Sequence, residues 1–114
     1  MISRPGPMAI SGFTEMFSDG SKVGKLVINT GTITEYPTPT PGSSPRGITS
    51  APDGNLWFAE KFGNNIGKIT TSGTITEFPV PTPSSGPFEI TSGPDSRHWF
   101  TELSANQIGV LRAK

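Results

Sequence analysis

The sequence has no cysteine, only one histidine, no long apolar run and no excess of charge of either sign. Without cysteine the chain has neither a disulfide framework nor a thiolate that could act as metal ligand or nucleophile. Nine basic residues balance nine acidic ones, so we expect no nucleic-acid or membrane partner. No apolar stretch approaches the roughly 20 residues of a membrane span, and no signal peptide is visible at the N-terminus. The compartment is unknown from the sequence.

Glycine and proline, in contrast, are abundant, with 14 and 12 residues. In many chains such a composition indicates disorder. Here both residue types recur at fixed positions between runs of β-branched and aromatic residues. They therefore mark turns between short strands, and the apolar runs between them are strand segments.

The stretch from Ile48 to Glu60 returns in altered form from Ile90 to Glu102, 42 positions later. More than half of residues 31–72 are identical to their counterparts in 73–114. This is a repeat protein, and its function is that of a repeat array.

Four short strands with tight turns in each repeat predict the blade of a β-propeller, an all-β fold. The coils of a β-solenoid are usually shorter than this repeat, and the Trp-Asp and double-glycine signatures of other propellers are absent. At this repeat length the single domain 1–114 holds about two and two-thirds four-stranded blades. Blade 1 spans 8–37 and is degenerate, blade 2 spans 46–80, and blade 3 spans 88–114 without its fourth strand.

Two repeated residue types have predicted structural roles. Trp57 and Trp99 are expected to fill the space between neighbouring sheets, each contributing on the order of 2–3 kcal/mol. Asp53 and Asp95 follow proline in the turns and are expected to cap them through backbone N–H groups.

An arc of fewer than three blades leaves a blade face open at each end. Such faces are apolar, so they favour burial against another protein surface. We therefore expect either self-association or further blades to close the propeller. Known closed propellers typically have 4–8 blades.

Three segments resemble the repeats of the virginiamycin B lyase (streptogramin lyase) family. They are Pro-Asp-Gly-Asn-Leu-Trp-Phe-Ala-Glu at 52–60, Asn-Asn-Ile-Gly-Lys-Ile at 64–69 and Thr-Ile-Thr-Glu-Phe-Pro at 74–79. The resemblance covers nearly the whole chain. It implies an arc of a seven-bladed propeller. It also implies magnesium-dependent linearisation of cyclic streptogramin B antibiotics by eliminative cleavage of the ester.

The resemblance also implies a site. An active blade of the family has Glu-Pro-His at the start of its innermost strand and a second Glu fourteen residues after the His. The two Glu hold the metal and the His is the general base. The corresponding positions here read Ser44-Pro45-Arg46 with Glu60, and Gly86-Pro87-Phe88 with Glu102. Glu60 and Glu102 are thus the family-matched metal positions.

Neither site has the His or the first Glu. Abstraction of a proton next to an ester needs a base with a near-neutral pKa, which Arg46 and Phe88 cannot supply. We therefore expect no catalytic residue and no cofactor in this chain alone, and Mg²⁺ only if it acts as a lyase or as part of one. Arg46 is expected to face Glu60 across the hairpin and to form an ion pair with it, whereas Glu102 faces Phe88.

We therefore predict a scaffold or binding surface for a small molecule or protein that the sequence does not identify, and the alternative is a magnesium-dependent streptogramin B lyase or a fragment of one. β-Propellers carry functional loops on the rim that is formed by the turns and connectors between their strands. The predicted rim comprises the loops Lys61–Asn64 and Ser104–Gln107 and the proline-rich connectors. Its candidate binding residues are Arg46, Lys61, Asn64, Phe88 and Asn106.

The remaining polar residues of note have structural interpretations. His98 has no partners at triad spacing and is predicted to be an ordinary strand side chain. Glu35 and Glu77 alternate with isoleucine in the outer strands, so we expect them on a solvated face.

Overall fold

The structure is a computed structural model that describes residues 10–15, 22–27 and 31–112. This part of the chain contains ten β-strands and no helix that could span a membrane. The strands are β1 (Ile10–Glu15), β2 (Lys22–Val27), β3 (Thr32–Pro37), β4 (Pro45–Ser50), β5 (Leu56–Glu60), β6 (Asn65–Ile69), β7 (Ile75–Pro79), β8 (Pro87–Ser92), β9 (Arg97–Glu102) and β10 (Gln107–Arg112).

The strands form three antiparallel sheets in which sequential strands are neighbours. The middle sheet has the order β4-β5-β6-β7 and is flanked by the three-stranded sheets β1-β2-β3 and β8-β9-β10. The predicted all-β blade architecture is therefore confirmed. The predicted limits of the repeats at residues 8 and 114 lie outside the described residues.

The hairpin turns follow from local sequence. In the turn from Ala51 to Gly54, the Gly54 N–H donates to the Ala51 carbonyl at 3.1 Å, and Gly54 adopts a φ of 84°. Glycine has no Cβ and takes this conformation without strain. Asp53 Oδ1 accepts the N–H of Asn55 at 2.9 Å, and Asp95 Oδ1 accepts that of Arg97 at 3.3 Å. Both aspartates thus lie in the turns and hydrogen-bond to the backbone two residues on.

A β-bulge interrupts the innermost hairpin of both later blades. Pro45 is paired with Glu60, but the next regular pair is Ile48 with Phe58, so the register shifts between them. The third blade repeats the shift between Pro87 and Ile90. Glu60 therefore faces Pro45 and not Arg46, and Glu102 faces Pro87 and not Phe88. The predicted facing pairs are wrong because the extra residues of the bulge move the side chains out of register.

The sheets pack face to face, and neighbouring residues of β5 point in opposite directions. Phe58 is buried in a cluster with Val23, Ile48 and Ile69, between the first and second blades. Trp57, 1% exposed, belongs to a second cluster with Ile90 and Phe100 of the third blade. Trp99 lies on the far face of the third sheet, which no described sheet covers, and it is 44% exposed.

The repeated glycine of β6 and β10 is required by this packing. A Cβ at Gly67 would overlap the ring of Phe58, and one at Gly109 would overlap the ring of Phe100. Each glycine is paired directly with that phenylalanine in the neighbouring strand. The Ile-Gly-Lys pattern therefore reflects a close approach of an aromatic ring to the backbone of the next strand.

Candidate functional site

Two aromatic rings and two cationic side chains meet on the rim formed by the loop after β5 and the start of β8. Arg46 lies 5.6 Å from the ring centroid of Phe88 and 5.9 Å from that of Phe62. Lys61 Nζ lies 5.5 Å from the Phe62 centroid and 5.8 Å from the Phe88 centroid. These distances are within reach of cation–π attraction. We call the four residues Arg46, Lys61, Phe62 and Phe88 the rim cluster.

Arg46 is oriented by this cluster and by its own strand. Its Nε donates to Ser44 Oγ at 3.0 Å. The ion pairs found among the described residues are Lys22–Glu35 and Asp95–Arg97, so the predicted Arg46–Glu60 ion pair is wrong. The bulge that places Pro45 opposite Glu60 is the reason. The Arg46 side chain instead lies between the rings of Phe62 and Phe88.

Glu60 points into its own blade, where it is fully buried. Its Oε1 accepts a hydrogen bond from Asn65 Nδ2 at 3.0 Å, and its Oε2 is buried without a hydrogen-bond partner. The pKa of Glu60 is raised from 4.5 to about 8, chiefly by burial and further by the neighbouring Glu77 carboxyl, while the Asn65 amide acts in the opposite direction. At neutral pH the carboxyl is therefore largely protonated and neutral.

Glu77 is the second carboxyl of this arrangement. It accepts hydrogen bonds from Thr40 Oγ1 at 2.7 Å and from the Thr40 N–H at 3.2 Å. The prediction of a solvated Glu77 is therefore wrong, because the connector from blade 1 folds back over the outer strand of blade 2. Glu35, the corresponding residue of β3, is exposed and pairs with Lys22 at 3.6 Å.

The third blade repeats the Glu60 arrangement. Glu102 is buried, and its Oε1 accepts a hydrogen bond from Gln107 Nε2 at 2.8 Å. Gln107 occupies the position of Asn65 in the repeat, and both pair directly with their glutamate in the strand register. The two glutamates are thus held by amides of the next strand, each within its own sheet.

Asn64 and Asn106 occupy the same position in consecutive repeats but differ in their surroundings. The Asn64 side chain makes four hydrogen bonds to the Val80–Ser85 connector. Asn106 is exposed, and its side chain makes no hydrogen bond to any residue that the structure describes. Asn64 therefore holds the connector in place, whereas the side-chain amide of Asn106 is exposed in the loop after β9.

His98 is buried between the second and third blades. Its ring stacks on Trp57 with centroids 4.0 Å apart, and its Nδ1 lies 2.9 Å from Ser92 Oγ. Burial lowers the pKa of His98, with Asp53 opposing the shift. The histidine is therefore a neutral packing residue of a strand and lies away from the rim cluster.

Comparisons with known proteins agree with this fold. Residues 6–114 match the model of the virginiamycin B lyase family. The chain belongs to the virginiamycin B lyase family. A curated virginiamycin B lyase of Bacillus licheniformis is 50% identical over 40 residues, which are 35% of this chain and 14% of that enzyme.

Two solved structures of the family superpose on nearly the whole chain. A catalytically inactive virginiamycin B lyase from Staphylococcus aureus, determined with quinupristin, has a TM-score of 0.90 and 46% identity over 99% of this chain. A streptogramin B lyase has a TM-score of 0.82 and 40% identity over 96% of the chain. The chain spans 37% and 39% of the lengths of these two proteins.

The family-matched positions can now be located in this lyase-family arc. Arg46 and Phe88, at the positions of the base, both belong to the rim cluster. Glu60 and Glu102, which the resemblance matches to the metal positions, are buried and hydrogen-bonded to Asn65 and Gln107 of the next strand. Within the described ranges, no three His, Cys, Asp or Glu residues lie close enough together to hold a metal ion.

The sequence analysis gave Phe62 no role of its own, although it lies within the predicted Lys61–Asn64 loop. It is 71% exposed, which is unusual for so large an apolar side chain in a turn. The available signal was the repeat itself, since Ser104 occupies the same position in the next copy. The aromatic residue at this turn position is therefore a feature of blade 2 that blade 3 does not share.

Proposed function

We propose that this chain is a catalytically incomplete arc of a lyase-family propeller whose rim cluster binds a streptogramin B-type ligand without linearising it. The observation that carries the proposal is the composition of the rim cluster. Where the family places its base, the chain has a guanidinium and a phenyl ring. The Arg46 guanidinium is a hydrogen-bond donor only, and Phe88 has no atom that accepts a proton.

The chemistry of the reaction explains why these substitutions matter. Eliminative cleavage removes a proton from the carbon next to a carbonyl while the ester C–O bond breaks. A base must lie within hydrogen-bond reach of that proton and be unprotonated at the working pH. Neither residue meets both conditions, which supports the proposal that this arc does not carry out the first proton transfer.

The residues present also do not fit a magnesium site. Mg²⁺ requires near-octahedral oxygen ligands and is usually held by one or two carboxylates together with water or substrate. Glu60 is buried, largely protonated and directed towards Asn65 and Glu77. Glu102 accepts a hydrogen bond from Gln107 and lies in the third sheet, whereas Glu60 lies in the second. No catalytic step is therefore assigned to a metal on these residues.

The rim cluster does fit a ligand with aromatic and carbonyl groups. Phe62 and Phe88 offer flat apolar surfaces, and Arg46 and Lys61 supply N–H donors beside them. Quinupristin is present with the Staphylococcus aureus relative, whose fold this chain shares. A cyclic depsipeptide of that class is thus the ligand to test first.

The test combines binding and turnover. Quinupristin is added to the folded chain with Mg²⁺, its binding is measured by calorimetry, and its linearisation is followed by mass spectrometry. We expect binding without a linear product. Phe62→Ala should weaken binding several-fold, whereas Ile33→Ala, which removes another exposed apolar side chain, from β3, should leave it unchanged.

A linear product that depends on Mg²⁺ would contradict the proposal and identify the chain as a lyase in its own right. The second candidate function, a part of a longer streptogramin lyase, is favoured by the 37% coverage of the Staphylococcus aureus enzyme. It predicts turnover only when blades carrying Glu-Pro-His are joined to this arc.

A further inference from the structure

The loop that carries half of the rim cluster is fixed to the connector in front of β4. The Lys61 N–H donates to the Ser44 carbonyl at 3.1 Å. The N–H groups of Phe62 and Gly63 both donate to the carbonyl of the buried Ser43, at 3.0 and 3.1 Å. The loop is therefore held in place by the blade itself, which lowers the entropy lost when a ligand binds to its side chains.

The fold of this loop does not require a lysine or an aromatic residue. Positions 61 and 62 correspond to Leu103 and Ser104 in blade 3, which offer neither a charge nor a ring. The N–H groups of these two residues make the equivalent hydrogen bonds to their own connector, at 2.9 Å each. Because blade 3 forms the same loop without them, the backbone geometry does not account for Lys61 and Phe62.

Two positive charges share the same two rings in the rim cluster. Arg46 lies 5.9 and 5.6 Å from the ring centroids of Phe62 and Phe88, and Lys61 Nζ lies 5.5 and 5.8 Å from them. The rings attract both cations but carry no net charge themselves. Like charges directed at the same rings repel each other, and an anion bound beside them relieves that repulsion.

The carboxyl groups nearest in sequence are directed elsewhere. Among the side chains that the structure describes, no carboxylate lies within ion-pair distance of Lys61. Glu89 Oε1 lies close to the backbone of Gly47, where an added Cβ would be 2.9 Å from it. Glu60, directly before the loop, is buried and bonded to Asn65. The ammonium group of Lys61 is therefore open to an anion from outside the chain.

We infer that the rim cluster is a carboxylate site, which binds a ligand that carries a carboxylate beside an aromatic group. Lys61 is the partner of the carboxylate, and Phe62 and Phe88 are the apolar surfaces for the aromatic group. The inference rests on the proposed function in using the same site, and it adds the charge of the ligand.

In the depsipeptide class, the form with this carboxylate is the ring-opened one. During elimination the carbon next to the carbonyl loses its proton to a base, a carbon–carbon double bond forms, and the ester oxygen departs with the bonding electrons as a carboxylate. The rim cluster therefore selects the product of a ring-opening reaction over the cyclic ester. A free aromatic acid has the same chemistry and is the other source of such a ligand.

The test compares each acid with its neutral counterpart by NMR titration of the isotope-labelled chain. N-acetylphenylalanine and its amide form one pair. Quinupristin opened by alkaline hydrolysis of its ester, and intact quinupristin, form the other. We expect each acid to bind about tenfold more tightly than its neutral counterpart, since a charge-assisted hydrogen bond contributes roughly that factor. The amide signals of the 61–63 loop should shift most, and the tighter of the two acids identifies the source.

Variants at Lys61 separate charge from shape. Lys61→Met should abolish the preference for the acid, and Lys61→Arg should keep it. Lys68→Met is the matched control, because Lys68 also lies over a ring, 5.8 Å from the Trp57 centroid, and its loss changes the net charge equally. Raising the ionic strength from about 0.05 M to about 0.5 M should weaken binding of the acids and leave binding of the neutral forms unchanged.

The outcomes distinguish this inference from the proposed function. Equal binding of acid and neutral form, a preference that survives in Lys61→Met, or no saturable binding of either acid would overturn the carboxylate site. Equal binding of intact and opened quinupristin would do so while leaving the proposed function intact. Binding of the acids without binding of intact quinupristin would support the carboxylate site and contradict the proposed function.

Discussion

Replacing Trp57 by alanine is expected to destabilise the chain by about 3–5 kcal/mol, whereas the same change at Trp99 should cost less than about 1 kcal/mol. The two residues occupy the same position in consecutive repeats. Trp57 is 1% exposed and stacks on His98 and Phe78, with ring centroids 4.0 and 5.7 Å away. Trp99 is 44% exposed, on a face that no described sheet covers.

The cost at Trp57 has two sources. Deletion of the indole leaves a cavity between the second and third blades that the sheets cannot close by small shifts. It also removes the ring that covers His98, whose Nε2 is buried without a hydrogen-bond partner. Small domains have only about 5–15 kcal/mol of total stability, so Trp57→Ala can leave a large unfolded fraction. Trp57→Phe is the milder variant and should lie between the two.

Urea unfolding followed by far-ultraviolet circular dichroism measures the three variants against the parent chain. The Trp99→Ala variant is the matched control, since it removes the same side chain from the same repeat position. Equal losses for both tryptophans at every protein concentration would contradict the prediction. A loss at Trp99 that grows with protein concentration would indicate instead that its face is buried in an oligomer.

The strands and hairpins could be predicted from the sequence because their signals are local. The turn from Ala51 to Gly54 is encoded by four adjacent residues, and strand alternation by their immediate neighbours. The repeat then extended each assignment from one blade to the next.

The bulge at Pro45 could not be predicted by counting positions across a hairpin. Counting residues from the turn assumes that the hydrogen-bond ladder between β4 and β5 is uninterrupted. Proline has no N–H to donate to such a ladder, and a bulge places two residues of one strand opposite one residue of the other. The structure adds a further reason for the local geometry at Gly47. A Cβ there would lie 2.8 Å from the Phe88 carbonyl oxygen of the neighbouring blade. The Arg46–Glu60 prediction failed because it depended on this register.

The surroundings of Glu77 could also not be predicted from the sequence. Ile75 and Glu77 are two residues apart in β7, so their side chains lie on the same face of the strand and alternation does not separate them. That face is covered by Thr40, which is 37 residues distant in the chain and belongs to a connector with no strand pattern of its own. Contacts made by irregular segments across blades depend on tertiary structure, and neither periodicity nor turn chemistry indicates them.

Glu60→Gln should stabilise the chain at neutral pH and flatten the pH dependence of its stability. The pKa of Glu60 is raised from 4.5 to about 8, chiefly by burial. Between these values the unfolded chain has lost the proton and the folded chain keeps it. The unfolded state therefore binds fewer protons, and the free energy of unfolding falls as pH rises. The stability is fully present below about pH 4.5 and is lost progressively up to about pH 8.

The size of this loss follows from the slope of 1.36 kcal/mol per pH unit for one proton, which gives about 3 kcal/mol between pH 4.5 and pH 7. Glutamine is nearly isosteric and neutral at every pH. Its carbonyl oxygen can accept from Asn65, as Glu60 Oε1 does, and its amide nitrogen can donate towards the neighbouring Glu77 carboxyl. The variant thus keeps the contacts of the buried acid without the cost of holding its proton.

Urea unfolding at pH 5, 6, 7 and 8 tests the prediction, and the advantage of the variant over the parent chain should grow with pH across this series. Glu35→Gln is the matched control, because Glu35 is an exposed strand glutamate that pairs with Lys22 at the surface. Parallel stability curves for Glu60→Gln and the parent chain would show that the folded state holds no extra proton at Glu60. Stabilisation of the parent by Mg²⁺ that the Glu60→Gln variant lacks would instead identify Glu60 as a metal ligand, since a cation could then replace the buried proton.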